Sequence, residues 1–315
     1  MTDSAPRALV TGGAGFIGSH LVDRLLAAGH RVCVVDDLST GSPGNVPPEA
    51  RFQRLDICDA ASLGDVLVDF RPEVVFHAAA QTDVRRSIRE PDFDARVNVL
   101  GALNVLRAAV AAGARRLVYA SSAAVYGDPE RVPVSEANPT RPISEYGASK
   151  LAFEHYLSAH AARGLIEYAA LRFANVYGPR QSGDGEAGVV AIFAQRMIAG
   201  EPVTIFGDGT KTRDYVYVGD VVEAMLRAAA GHSSVVANVG WGREVSDLEL
   251  FRAVAAATGY GKQPTHAADR RGDIARTCLD PAAAERVWDW RASMPLAEGV
   301  RRVVEQARAK LEPAR

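Results

Sequence analysis

Gly12, Gly15 and Gly18 recur every third residue between a short apolar run, Ala8–Thr11, and an amphipathic stretch, Phe16–Ala28. A chain that passes from strand to helix through such a loop has few folds open to it. Gly12 allows a tight turn, Gly15 lets backbone amides approach a pyrophosphate, and Gly18 lets the helix pack closely on the sheet. Gly12, Gly15, Phe16, Ile17 and Gly18 are therefore candidate contacts of a dinucleotide. The next apolar run, Arg31–Asp36, ends in Asp36 and Asp37. A carboxylate there accepts hydrogen bonds from ribose hydroxyls and repels a 2′-phosphate, which favours NAD over NADP. Asp56 and Ile57 close a third run and can reach the adenine. The plainer reading of these aspartates is that they cap loops.

The alternation continues along the chain. Phe52–Ile57, Val74–His77, Leu117–Ser121 and Tyr168–Arg172 read as strands. Asp59–Phe70 reads as a helix with Asp59 as its N-cap, and Phe93–Ala112 and Tyr146–Arg163 as helices closed by Gly113 and Gly164. This pattern predicts an α/β fold, a doubly wound parallel Rossmann sheet with right-handed crossovers. After Phe173 the rhythm loosens, with helices expected at Val189–Ala199, Asp220–Ala230, Ser246–Thr258, Pro281–Val287 and Leu296–Leu311. We expect residues 1–174 to form the dinucleotide-binding domain. Residues 175–315 are expected to form a smaller mixed α/β region, mainly for substrate and partly interleaved with the first.

Composition removes other classes. A net charge of −2 gives no electrostatic reason to expect nucleic acid or an anionic membrane as partner. No uncharged run of membrane-spanning length occurs, and the polar start lacks an apolar signal core. Cys33, Cys58 and Cys278 lack the spacing of a disulfide framework or a metal site. A cytoplasmic enzyme without a metal is the expectation.

Tyr146 and Lys150 stand four residues apart, on one face of a helix. Only four of the 36 basic residues are lysine, so a motif lysine is informative. A free phenol titrates too high to act as a base at neutral pH. A lysine cation and the positive nicotinamide ring would favour phenolate. Ser122, just past the Leu117–Ser121 strand, can hydrogen-bond a substrate oxygen. Ser122, Tyr146 and Lys150 are the candidate catalytic residues.

The glycine loop, Tyr-x-x-x-Lys and the upstream serine together resemble the extended short-chain dehydrogenase/reductase superfamily. Over essentially the whole chain the sequence is similar to its nucleotide-sugar epimerases of the UDP-glucose 4-epimerase type. Thr11–His20, His77–Val84, Ser121–Pro129, Tyr146–Lys150, Leu171–Gln181, Phe206–Asp220 and Arg270–Asp273 carry the likeness. The resemblance implies that Tyr146 takes the proton of the sugar 4-hydroxyl while hydride leaves C4 for NAD. The 4-keto sugar then turns over and hydride returns to its other face. Ser122 would hydrogen-bond O4, and Lys150 would hold the nicotinamide ribose. The resemblance places Ala78, Ala79, Ala80 and Asn98 near the cofactor. It places Thr82, Asn175, Thr204, Phe206, Arg213 and Arg270 near the nucleotide sugar, with Arg213 and Arg270 on the pyrophosphate and Arg271 as a rival for the second position. It also implies a homodimer paired through Phe93–Ala112 and Tyr146–Arg163.

Other chemistries of the superfamily fit less well. Its 4,6-dehydratases carry an Asp-Glu pair where Ala123 and Ala124 stand, and its UDP-glucuronate decarboxylases a glutamate in place of Ala124. Epimerisation needs neither acid. Glu145 replaces a proline common in relatives, and Thr277 takes a position that influences whether N-acetylated sugars fit. The alternatives are epimerisation of UDP-glucuronate or a UDP-N-acetylhexosamine, net oxidoreduction, and, remotely, a non-catalytic NAD-binding regulator. His20 and His77 are read as packing or hydrogen-bonding residues, and residues 85–89 as a solvated basic helix face.

Overall fold

The computed structural model describes residues 5–183, 188–270 and 273–311, which form two compact units. Among the described residues the first comprises 5–127, 139–172 and 222–237, and the second 128–138, 173–183, 188–221, 238–270 and 273–311.

In chain order the elements through residue 173 are β1 (Arg7–Thr11), α1 (Phe16–Ala27), β2 (Arg31–Asp36), β3 (Arg51–Arg54), α2 (Ala60–Phe70), β4 (Val74–His77), α3 (Val84–Arg89), α4 (Pro91–Ala95), α5 (Ala102–Ala111), β5 (Arg116–Ser122), α6 (Glu145–Ala162) and β6 (Glu167–Phe173). Then follow β7 (Asn175–Tyr177), α7 (Val189–Ile198), β8 (Thr204–Phe206), β9 (Thr212–Tyr217), α8 (Val218–Ala230), β10 (Val235–Val239), β11 (Glu244–Ser246), α9 (Asp247–Thr258), β12 (Thr265–Ala267), α10 (Ala282–Trp288) and α11 (Leu296–Leu311).

The main sheet has the order β10-β6-β5-β4-β1-β2-β3, with β3, β2, β1, β4 and β5 paired in parallel. The expected doubly wound architecture is therefore present. Its inner strands are buried on both faces, which is why they read as continuous apolar runs rather than alternating ones. Strand order reverses between β1 and β4, the point at which such sheets open a crevice at their carboxyl ends.

Local signals hold where expected. Asp59 caps α2, accepting the Ser62 amide at 3.1 Å, and Gly113 and Gly164 adopt positive φ just past their helices. Ser144 caps α6 through the Gly147 amide at 3.1 Å, so Glu145 starts the helix without a proline.

Two expectations change, and one strand was not foreseen. The continuous helix expected over Phe93–Ala112 is interrupted by a π-helical turn, Arg96–Gly101, between α4 and α5. Within that turn the buried Asn98 side chain reaches out to backbone, and Gly101 leaves room for Ile57, whose Cδ1 would stand 2.9 Å from a Cβ there. The third strand ends at Arg54, because Asp56 Oδ1 accepts the Cys58 amide at 2.8 Å and turns the chain. β10 joins the main sheet beside β6 although it follows residue 174. Five residues with Asn238 among them are too few to announce a buried strand by periodicity.

The second unit contains a three-stranded sheet, β11-β9-β7, and a parallel pair, β12-β8. Its polar anchor is Asp214, which is buried in β9. Its carboxylate accepts the Trp241, Gly242 and Leu279 amides at 2.8, 3.1 and 3.2 Å.

Candidate active site

The glycine loop lies at the β1/β4 reversal. Thr11 pairs with His77 across these strands, and the Thr11 hydroxyl and His77 Nδ1 are 2.7 Å apart. Burial pulls the imidazole down to about 3, so His77 is neutral and ties two strand ends together. Gly12 has φ +72°, and a Cβ on it would stand 2.6 Å from the Ala79 amide. A Cβ on Gly18 would run into the Gly12 carbonyl. Both glycines thus let backbone pack against backbone where any side chain would clash, Gly12 against Ala78 and Ala79 and Gly18 against Gly12. The amides at the start of α1 that this close packing sets suit a dinucleotide pyrophosphate.

Asp36 is buried at the end of β2. Its carboxylate accepts the Ala14 amide at 2.9 Å and the Leu38 amide at 2.8 Å, so it anchors the loop from the side. Burial raises its pKa against these hydrogen bonds. A carboxylate has about four acceptor positions, so two backbone donors leave capacity for ribose hydroxyls. Asp36 fits both the anchoring and the binding roles. Asp37 and Asp56 are exposed and each accepts a backbone amide two residues ahead, while Ile57 is buried.

Ser122, Tyr146 and Lys150 come together in the first unit. Ser122 is the last residue of β5, and its hydroxyl hydrogen-bonds Tyr146. Lys150 is buried one turn further along α6, its Nζ donating to the Ala120 carbonyl at 3.0 Å. The ammonium lies 5.7 Å from the Tyr146 ring centre and 5.0 Å from that of Tyr119. Burial pushes the Tyr146 phenol up to about 12, against the downward pull of Ser122. The fall expected from the sequence is thus reversed among the chain's own groups, since desolvation outweighs them. The positive nicotinamide ring is the remaining source of a downward shift.

Asn98 stands behind this group. Its amide nitrogen donates to the Gln81 carbonyl and to Asp94 Oδ1, both at 2.9 Å, and its oxygen accepts the Gln81 amide at 2.9 Å. It therefore fixes the backbone beside Thr82. Residues 85–89 lie in the short helix α3, where Arg86 pairs with Glu90 at 3.0 Å and covers the Phe93 ring.

In the second unit, Asn175 opens β7, Arg213 lies in β9, and Thr204 and Phe206 bound β8. The Arg270 guanidinium carbon is 3.4 Å from the Phe206 ring centre. Arg271 lies outside the described residues.

The model of the NAD dependent epimerase/dehydratase family matches residues 8–240. The chain belongs to this family. The UDP-glucose 4-epimerase of Mycolicibacterium smegmatis is 47% identical, over 96% of this chain and 99% of its own. A putative UDP-glucose 4-epimerase of Methanocaldococcus jannaschii is 43% identical, over 94% and 96%. Among solved structures, the Thermotoga maritima UDP-glucose 4-epimerase with UDP-glucose superposes with a TM-score of 0.95 at 44% identity, covering 97% of this chain and 100% of that one. The Thermus thermophilus enzyme in complex with NAD gives 0.91 at 45% identity, covering 96% and 99%.

Within this epimerase-family chain, sequence reading passed over the groups that set the surroundings of Lys150. Glu154 accepts Ser121 Oγ at 2.5 Å and pairs with buried Arg172 at 2.6 Å, while Arg172 also donates to the Tyr126 hydroxyl at 2.8 Å. Every partner in this buried ion pair is hydrogen-bonded, the condition under which such pairs persist. The signal was present: Glu154 follows Lys150 by four residues, and Asp94 precedes Asn98 by four. Tyr119 left no such trace, because it meets Lys150 across two elements.

Proposed function

We propose that the chain interconverts UDP-glucose and UDP-galactose by inverting C4 of the sugar, with NAD retained between turnovers. The hydrogen-bonded Ser122–Tyr146 pair beside buried Lys150 carries the reading. The glycine cradle and the near-full-length likeness to UDP-glucose 4-epimerases support it. Bound NAD supplies a reversible hydride acceptor for the C4 hydrogen. Tyr146 takes the 4-hydroxyl proton and returns it after the ketone has presented its other face. Ser122 holds O4 throughout. The hydride and the proton that leave both come back, so no net oxidation occurs.

In this reading residues 1–174 chiefly hold NAD and residues 175–315 chiefly hold the nucleotide sugar. Gly12, Gly15, Phe16, Ile17, Gly18 and Ala78–Ala80 would cradle the dinucleotide. Asp36 and Asp37 would take its ribose, Asp56 and Ile57 its adenine, and Lys150 the nicotinamide ribose, with Asn98 bracing the site. Thr82 and Asn175 would contact the sugar nucleotide, and Thr204 and Phe206 its base. Arg213 and Arg270 present guanidinium forks suited to paired phosphate oxygens.

A homodimer and a cytoplasmic location belong to the same proposal. Leu100 and Tyr156 are 58% and 42% exposed, and with Leu103 and His160 they line a cavity of about 490 Å³ on α5, α6 and the turn before them. Such surface favours a partner, here a second copy. Sedimentation equilibrium should give twice the chain mass, and Leu100→Glu should shift it toward the single-chain value. An unchanged dimer in that variant would put the interface elsewhere. Three free thiols suit a reducing compartment, and cell fractionation checks this. Among the described residues no helix is long and apolar enough to cross a membrane.

Proton NMR of the anomeric region tests the reaction. Purified protein with UDP-galactose and no added cofactor should produce the UDP-glucose signals. Silence that persists after adding NAD would overturn the reading.

A further inference from the structure

We propose that Lys211 is a positioning residue that sets the affinity for the substrate diphosphate, by tying the segment bearing Arg270 to the strand bearing Arg213. This inference rests on the functional reading above. Lys211 directly precedes β9 and stands two residues before Arg213. Its Nζ lies 2.7 Å from Asp269 Oδ1 and 3.0 Å from Asp273 Oδ2, the two acids that flank Arg270. One ammonium therefore grips that segment on both sides of the arginine, whose guanidinium rests on the Phe206 ring.

Exposed ion pairs contribute little on average, but this one departs from them in two ways. The Lys211 side chain is only 15% exposed and is shared by two carboxylates, of which Asp273 is the more buried. Its loss would also remove the cation that Asp269 and Asp273 share, leaving that segment more negative toward an arriving diphosphate. Both the tether and the charge act on diphosphate binding.

Isothermal titration of the full chain with UDP, paired with steady-state epimerisation, decides the matter. Lys211→Met should weaken UDP binding about tenfold, or about 1.4 kcal/mol, and raise KM for UDP-galactose similarly while kcat falls less. Lys211→Arg, which keeps the charge and the reach, should recover most of the affinity. Retained NAD and an unshifted melting temperature in Lys211→Met would show that the fold is intact. Equal UDP affinity in Lys211→Met and wild type would overturn the proposal, as would a loss of kcat and stability that Lys211→Arg fails to rescue. Wild-type protein that binds no UDP would instead sink the functional reading.

Discussion

Tyr146→Phe should lose at least about a hundredfold in turnover, the lower end of what a positioned acid–base group contributes, and still retain NAD. Phenylalanine keeps the ring, while the proton acceptor that hydrogen-bonds Ser122 is gone. The structure adds a pH dependence. Burial holds the phenol well above its ordinary value, at about 12, so the chain's own groups keep Tyr146 protonated at neutral pH. The proton-accepting form therefore grows as pH rises, and a positive charge placed nearby increases it at fixed pH. Ultraviolet difference titration of wild type against Tyr146→Phe should put ionisation near pH 12 without NAD and lower with it. The same midpoint in both states would remove nicotinamide as the source of activation. A Tyr146→Phe enzyme within tenfold of wild type would remove Tyr146 as the base.

Lys150→Met should lower activity by at least about a hundredfold and raise the melting temperature. An ordinary lysine titrates near 10.5, whereas burial pulls Lys150 down to about 8, opposed by the charges of Asp94 and Glu154. For a lysine depressed in this way the folded state disfavours the cation. The penalty is fully present below pH 8 and is relieved as pH rises from about 8 to 10.5. At neutral pH it amounts to about 3 kcal/mol. Methionine fills similar space without charge but gives up the hydrogen bond to the Ala120 carbonyl, which offsets about half of that gain. The net should appear as a rise of a few degrees at pH 7 that fades above pH 9. A melting temperature that drops at pH 7 would mean that Lys150 holds the fold together rather than serving the reaction at its expense.

Much of the first unit was legible because its signals are local. The glycine spacing, the Asp59 cap and the terminations at Gly113 and Gly164 each involve residues within a turn or two of one another, and all appear in the structure. The continuous helix over Phe93–Ala112 failed for a nonlocal reason: Asn98 bonds to Gln81 on another segment, and the π turn lets it do so. The short strands of the second unit were equally hidden. Three-residue strands such as β7, β8 and β11 carry no readable periodicity and exist through their pairing.

The sequence by itself determined the Rossmann architecture, the use of NAD, and the grouping of Ser122, Tyr146 and Lys150. Glycine spacing and a four-residue step on a helix are geometric consequences of the covalent chain. Tertiary structure alone decided how those groups titrate and what braces them. A phenol near 12 and an ammonium near 8 arise from burial among Tyr119, Asp94 and Glu154, which three separate elements supply. The pairing of Lys211 with Asp269 and Asp273 likewise exists only once distant segments meet. Desolvation and charge depend on which atoms surround a group, and folding settles that.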